Sequence, residues 1–353
     1  MLRAGLAFRQ RVLDFADLPL PAEGALWDFA AGAQRTRLAG ALVTSGLADA
    51  LGTDARDPMT VAHELGLDPD VTVRVLTAAA ASRLARLDRE GRVRLSRLGA
   101  PLRKDHPHSI ASWVAYQAAP TTVRAYEGLG EQLRTGAQPS GHRRAFGDSV
   151  WEYFGEHPEE GARFGEAMRQ LTAIDAAAIS RAYGWPRRGV ICDVAGGIGT
   201  LLAEILRRRP RARGILIDAP EVLEDAGSFL SSRGLEGRVE RRVGDLFGEL
   251  EVRADVYVLK WILHDWSDEH CREILTRVRA TMPPQSRIVT IDQRREPGRP
   301  SPITALVDLH MLVECEGGRE RTPEEVHALM REVGLEPGTV KHAGLHMLVE
   351  GRC

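Results

Sequence analysis

The chain has 353 residues, more than one typical domain and enough for two cores. Its formal net charge of -2 gives no whole-chain electrostatic case for nucleic acid or for an acidic membrane surface. Cys192, Cys271, Cys315 and Cys353 share no close spacing, which argues against a zinc site and a disulfide framework and makes a reducing cytoplasm the expected setting. No apolar run reaches membrane-spanning length. The amino terminus, MLRAGLAFRQRVLDF, is interrupted by arginines and carries Asp14, so it makes a poor signal peptide. It reads as an amphipathic helix offering Leu2, Leu6, Phe8, Val12 and Leu13 to a partner surface.

The first third of the chain is helical and rich in alanine. Residues 25–50 repeat apolar groups at helical spacing through Leu26, Phe29, Leu38, Leu42 and Val43, ending near Gly46. Asp57-Pro58 and Asp68-Pro69 are matched helix starts, each an N-cap aspartate before a first-turn proline, with Gly66 at the turn between them. Leu84–Leu87 and Arg92–Leu95 flank Asp88-Arg89-Glu90-Gly91 as a short hairpin. Helix, turn, helix and hairpin outline a winged helix. Such a module binds DNA, for which Arg74, Arg83, Arg86, Arg89, Arg92, Arg94 and Arg97 speak, or serves dimerisation with those arginines solvated.

Residues 105–183 carry further helices and much of the aromatic stock: Trp113, Tyr116, Tyr126, Phe146, Trp151, Tyr153, Phe154 and Phe164. Pro158 starts a long helix to about Tyr183, on which Phe164, Met168, Leu171, Ala178 and Ile179 recur at helical spacing. That stripe is either plain core or one wall of a pocket for a flat apolar ligand.

From Gly189 strands and helices alternate, the sign of a parallel sheet with crossover connections. The strands are Val190–Val194, Gly214–Ile217, Arg238–Val243, the run from Asp255 to Leu259, and Arg287–Ile291. Thr322-Pro323-Glu324-Glu325 opens a last helix as a capping box. Two closing strands lie at about 337–342 and 345–350. The stretch LKWILHDWSDEH, from Leu259 to His270, packs Lys260, Trp261, His264, Asp265 and Trp266 just past the fourth strand, where an open α/β sheet places its ligands. Alone, that cluster reads as a satisfied histidine and two core tryptophans in a tight turn.

The neighbouring strand ends argue otherwise. Ala195-Gly196-Gly197-Ile198-Gly199 lets a ligand approach the backbone, although a Gly-rich turn by itself suits NAD or FAD as well. Asp218 closes the second strand, where an aspartate accepts hydrogen bonds from both ribose hydroxyls of an adenosine. The AGGIG spacing departs from the GxGxxG that meets a pyrophosphate, which favours an adenosine without phosphates. Asp245 and Leu246 then stand at the adenine edge and face.

The combination DVAGGIG, DAP, GDLF and LKWILHDWSDEHC resembles the S-adenosylmethionine-dependent O-methyltransferases of the plant caffeate type and their bacterial relatives that methylate aromatic polyketides and other natural products. FGEAM at 164–168 and GGRERT at 317–322 are similar to family patterns too. The resemblance implies a Rossmann-like, seven-stranded α/β methyltransferase domain (184–353), a helical winged-helix dimerisation domain (1–105) and connecting helices that shape the substrate pocket (106–183). It implies S-adenosylmethionine as cofactor, S-adenosylhomocysteine as product, no metal, and a homodimer acting on a small hydroxylated aromatic compound, with neither nucleic acid nor membrane as partner. On this likeness Asp193, Ala195, Gly196, Gly197 and Gly199 hold the methionine part, Asp218 the ribose, and Asp245 and Leu246 the adenine, with Lys260 nearby. Trp261 and Trp266 wall the site, and His264 is the general base. Asp292 stands where the family has a carboxylate, usually glutamate, that orients the histidine; Glu320 aligns with a second. Phe164, Met168, Met311 and Cys315 line the acceptor pocket. Ala195 departs from the family, which usually has a third consecutive glycine there.

The chemistry suits the allocation. A phenol titrates near ~10 and an unperturbed histidine near ~6.5, so a histidine can take the phenolic proton as the new bond forms. The same cofactor fold would also serve N-methylation, or decarboxylation or hydroxylation of a polyketide acid. A DNA-binding regulator built on the winged helix is the reading from a different class.

Overall fold

The computed structural model describes residues 2–296, 298 and 301–353, and the side chains of Leu2, Arg3, Ala4, Ala7 and Asp14 lie outside the described residues. The chain packs as two compact units, one of Arg3–Val123 with Pro158–Leu171 and one of Arg124–His157 with Thr172–Cys353. These divisions fall elsewhere than residues 105 and 183.

In the first unit, the segment expected to be helical over 25–50 is three helices, Ala22–Ala30, Gly32–Thr44 and Leu47–Leu51. The first break falls at Ala31 beside Gly32, a poor helix former, and Gly46 turns the chain at φ +79°. The two aspartate caps form as the sequence dictates: Asp57 accepts the Thr60 N–H at 2.9 Å and Asp68 the Val71 N–H at 2.8 Å. They start the helices Pro58–Leu65 and Pro69–Ala81. The hairpin follows as β1 (Ala85–Leu87) and β2 (Val93–Leu95), its turn closed by Asp88 accepting the Arg92 N–H. Leu42, Leu51, Val61, Leu76 and Val93 are the centre of this unit's core. Outside that core, Phe8, Phe15, Leu26, Trp27 and Phe29 stand exposed.

The second unit is built on seven strands: β3 (Arg188–Val194), β4 (Arg211–Asp218), β5 (Val239–Val243), β6 (Val256–Lys260), β7 (Arg287–Gln293), β8 (Glu336–Ala343) and β9 (His346–Arg352). Their order across the sheet is β5-β4-β3-β6-β7-β9-β8, with β9 alone antiparallel to both neighbours. The chain runs outward from β3 through β4 to β5, then returns to lay β6 on the other side of β3. That reversal opens a crevice at the carboxyl ends of β3 and β6. Apolar layers cover both faces of the sheet, one around Ile191, Leu202, Leu216 and Val258, the other around Tyr257, Leu259, Ile274 and Met347. The interior strand β6 is buried from Val256 to Leu259, which is why it reads as a continuous apolar run.

Candidate active site

The crevice begins where β3 ends. Ala195 turns the chain at φ +52°, Gly197 at +60° and Gly199 at +84°. A Cβ on Gly196 would come within 2.6 Å of the Asp193 carboxyl and 2.7 Å of Leu216, so only glycine fits there. Asp193 is buried beneath this turn, and neither carboxylate oxygen has a well-formed hydrogen bond among the described residues. Burial pushes its pKa up to about 7 against the opposing pull of Lys260. Asp218, at the end of β4, grips the same turn: one oxygen accepts the Gly197 N–H at 2.7 Å, the other the Ala219 N–H at 2.8 Å. Past β5, Asp245 is exposed and accepts the Phe247 N–H at 3.0 Å, with Leu246 half-buried beside it. The ends of β3, β4 and β5 thus present the expected residues in order along one edge.

At the end of β6, Lys260 turns inward. Its ammonium donates to Thr172 Oγ1 at 2.9 Å and lies 2.9 Å from the Trp261 ring centroid. Burial pulls its pKa down to about 7, although Asp175, Asp193 and Asp292 all favour its charge. Trp261 is a bulky residue held at φ +56°, and its N–H donates to the Ile291 carbonyl at 2.9 Å. Strain of this kind survives only where surrounding bonds fix the backbone.

One turn later, Leu263–Asp265 forms a short 3₁₀ segment that places His264 between two carboxylates. His264 Nδ1 bonds Glu320 Oε1 at 2.7 Å, and its Nε2 faces Asp265 Oδ1 at 3.4 Å. All three are buried. Burial raises Glu320 well above the ordinary carboxylate range and pushes Asp265 to about 7, the latter opposed by the imidazole beside it. Of the two carboxylates expected to support the histidine, Glu320 makes the bond. Asp292 makes no hydrogen bond to His264 among the described residues, and its Oδ1 has no partner. It belongs to β7, paired opposite Met347 of β9, and a side chain one carbon shorter than glutamate does not bridge the gap from that fixed backbone. Burial still raises Asp292 to about 6, with His264 pulling the other way.

Arg321 holds this turn in place. Its buried guanidinium donates to the carbonyls of Leu263 and Trp266 and to Asp268. The capping box at Thr322 is formed as the sequence requires, and Glu320 donates its own N–H to Asp308 at 2.7 Å. Trp266 stacks on Trp151 at 6.0 Å and meets Phe247 edge-on at 4.8 Å. Met311 and Cys315 pack with Val150, Trp151 and Phe154, and the Cys315 thiol points to Asp265 at 3.8 Å. Phe164 and Met168 belong to the first unit, where Phe164 meets Tyr116 at 5.6 Å. Asp265, Thr172, Trp151 and the group Tyr126, His310 and Glu314 carry polar or aromatic roles that sequence reasoning did not assign. Asp265 had a signal in its place next to His264. Tyr126 and Trp151 had one in the aromatic stock of the connecting helices, while Thr172, His310 and Glu314 come from distant helices and had none.

The O-methyltransferase domain family matches residues 126–336, and the chain belongs to that family. It is a SAM-dependent O-methyltransferase by that membership. It is 34% identical to O-demethylpuromycin-O-methyltransferase of Streptomyces alboniger over 84% of this chain and 79% of that one. It is 32% identical to 8-amino-8-demethylriboflavin N,N-dimethyltransferase of Streptomyces davaonensis, over 84% of this chain and 86% of the relative. Among solved structures, human N-acetylserotonin methyltransferase in complex with SAM superposes with a TM-score of 0.85 at 26% identity, covering 94% of this chain and 97% of that one. Among the described residues no group of His, Cys, Asp and Glu is arranged to hold a metal ion, and no helix is long and apolar enough to cross a membrane.

Proposed function

We propose that this enzyme methylates a phenolic or related hydroxyl of an aromatic natural-product intermediate, with His264 as the general base. The observation that carries the reading is the buried His264–Glu320 bond of 2.7 Å at the carboxyl end of β6, beside the turn gripped by Asp218. When bound, S-adenosylmethionine supplies an electrophilic methyl group and leaves as S-adenosylhomocysteine. The fit of that molecule is argued from the chain's own polar atoms. The buried Asp193 carboxylate, which has no well-formed hydrogen bond among the described residues, suits its cationic methionine end, and the turn over Gly196 leaves room for close approach. Asp218 keeps lone pairs that would take the ribose hydroxyls, and Asp245 and Leu246 would hold the adenine.

On the acceptor side, the mechanism takes Glu320 as the carboxylate that accepts from Nδ1 of His264, a pairing that would fix the tautomer and leave Nε2 to take a proton. Asp265, across from Nε2, gives the acceptor hydroxyl a second partner and stabilises the imidazolium that results. Trp266, Trp151 and Met311 make a flat apolar wall, which aligns an aromatic ring and excludes water from the reacting atoms. The four free cysteines suit a reducing cytoplasm.

The experiment is a screen of phenolic and quinonoid acceptors with methyl-labelled cofactor, read by mass spectrometry. O-methylation predicts a gain of one labelled methyl at oxygen. The likeness to an N,N-dimethyltransferase supports a second reading, transfer to an aromatic amine, which fragment masses distinguish. Loss of carbon dioxide with no label gained would overturn both.

A further inference from the structure

The helix Pro302–Glu314 turns three sides to its surroundings. Gln132 donates to the Leu312 carbonyl at 3.0 Å and Val313 lies against the start of the helix Gly141–Phe146, so one side is closed by protein. Met311 and Cys315 join the aromatic wall. The third side carries His310 and Glu314, one turn apart, and meets Tyr126. Tyr126 Oη and His310 Nδ1 are hydrogen-bonded at 3.1 Å, with the rings stacked. Glu314 is buried alongside them, yet its Oε1 has no hydrogen-bond partner and its carboxylate joins no ion pair among the described residues. Burial pushes its pKa up to about 8, and burial together with the nearby His264 holds His310 down at about 4. The polar side of this helix is therefore electrostatically coupled to the turn that carries the base.

A carboxyl left buried without a partner costs stability. Hydrogen bonding alone would be served by an amide or a hydroxyl at a smaller desolvation penalty. What a carboxyl adds is its capacity for negative charge, and only a cation brought from outside offsets the penalty of using it. His310, kept neutral by burial, does not repel such a cation, and the Tyr126 ring offers it an electron-rich face.

We propose that Glu314 anchors a basic nitrogen of the acceptor, so that the substrate is a hydroxylated aromatic compound that also bears an amine. The hydroxyl lies at His264 and the ammonium at Glu314, flanked by Tyr126 and His310. The inference rests on the reading of His264 as the base facing the acceptor.

The test uses matched pairs of compounds: aminoalkyl phenols and catechols, and isosteres with a hydroxyl or methyl in place of the amine. Binding of each is measured by calorimetry on the full-length protein with S-adenosylhomocysteine present, while methyl transfer is followed in parallel by mass spectrometry. The amine-bearing member should bind roughly 30-fold tighter or more, the usual worth of a buried charge partner. In Glu314→Gln the ratio should fall toward unity, since the amide keeps the shape and hydrogen bonds without the charge. Equal affinity within the pairs, no binding by any amine-bearing member, or an unchanged ratio in Glu314→Gln overturns the proposal. A preference that depends on Glu314 without methyl transfer to any member leaves the subsite standing and removes the role of His264. If Glu314→Gln does not fold, Glu314→Asp, which keeps the charge but withdraws it, should show a weakened ratio, and an undiminished one counts against the anchor.

Discussion

At Ala195 a single methyl group meets a backbone that prefers glycine. The residue sits at φ +52°, where a Cβ costs roughly 1–2 kcal/mol. The sequence showed an alanine in a run of glycines, but its conformation came only with the fold. Ala195→Gly should relieve the strain and raise stability by up to about 1 kcal/mol, since glycine's freer unfolded chain takes back part of the gain. Urea titration of the two proteins decides this, and a less stable variant would mean that the methyl packs favourably. Glu320 reaches His264 from far along the chain. Nothing in sequence spacing says that a residue 56 positions beyond His264 bonds its imidazole, and only the family pattern pointed there. That pattern pointed to Asp292 as well, which makes no hydrogen bond to His264 among the described residues.

Among the elements, the strand ends were legible because apolar runs stop at glycine and aspartate. Their beginnings were less so. β4 starts at Arg211, three residues before the apolar run at Gly214, because exposed Arg211 and Arg213 alternate with buried neighbours. The turn Leu263–Asp265 owes its shape to contacts from elsewhere, chiefly Arg321. Arg321→Met should therefore strand the Leu263 and Trp266 carbonyls and cost roughly 2–4 kcal/mol. The loss should reach turnover more than cofactor affinity, because the ends of β3 and β4 do not depend on this residue. Thermal melts and cofactor titration on one purified variant measure both. An unchanged melting temperature would show that the turn holds itself.

At the scale of the whole molecule, the first unit leaves Phe15, Trp27 and Phe29 at 75%, 82% and 81% exposure. So much aromatic surface at one end of a chain calls for a partner. The amphipathic pattern of the first helix points to a second copy as that partner. The full-length protein should sediment as a dimer at micromolar concentration, and deleting residues 1–17 should weaken it. A full-length monomer at that concentration contradicts the homodimer. The winged-helix outline and the seven-stranded sheet were readable from punctuation and period alone. The division of the connecting helices between the two units was not, because it depends on which helices touch rather than on where composition changes.

The central claim is that His264 takes the acceptor's proton. Its most direct test is turnover of His264→Ala on any acceptor found in the screen, followed across pH, with melting temperature and cofactor affinity measured on the same sample. The account predicts a folded protein that binds S-adenosylmethionine normally and turns over roughly 10²–10⁴-fold more slowly, about 2.7–5.4 kcal/mol of barrier. The deficit should shrink as pH rises toward the acceptor's own pKa, where solvent deprotonates the hydroxyl. Glu320→Gln should cost less than His264→Ala and more than Asp292→Asn, in keeping with the bond at 2.7 Å. A folded His264→Ala enzyme that methylates at a near-normal rate at neutral pH would contradict the claim.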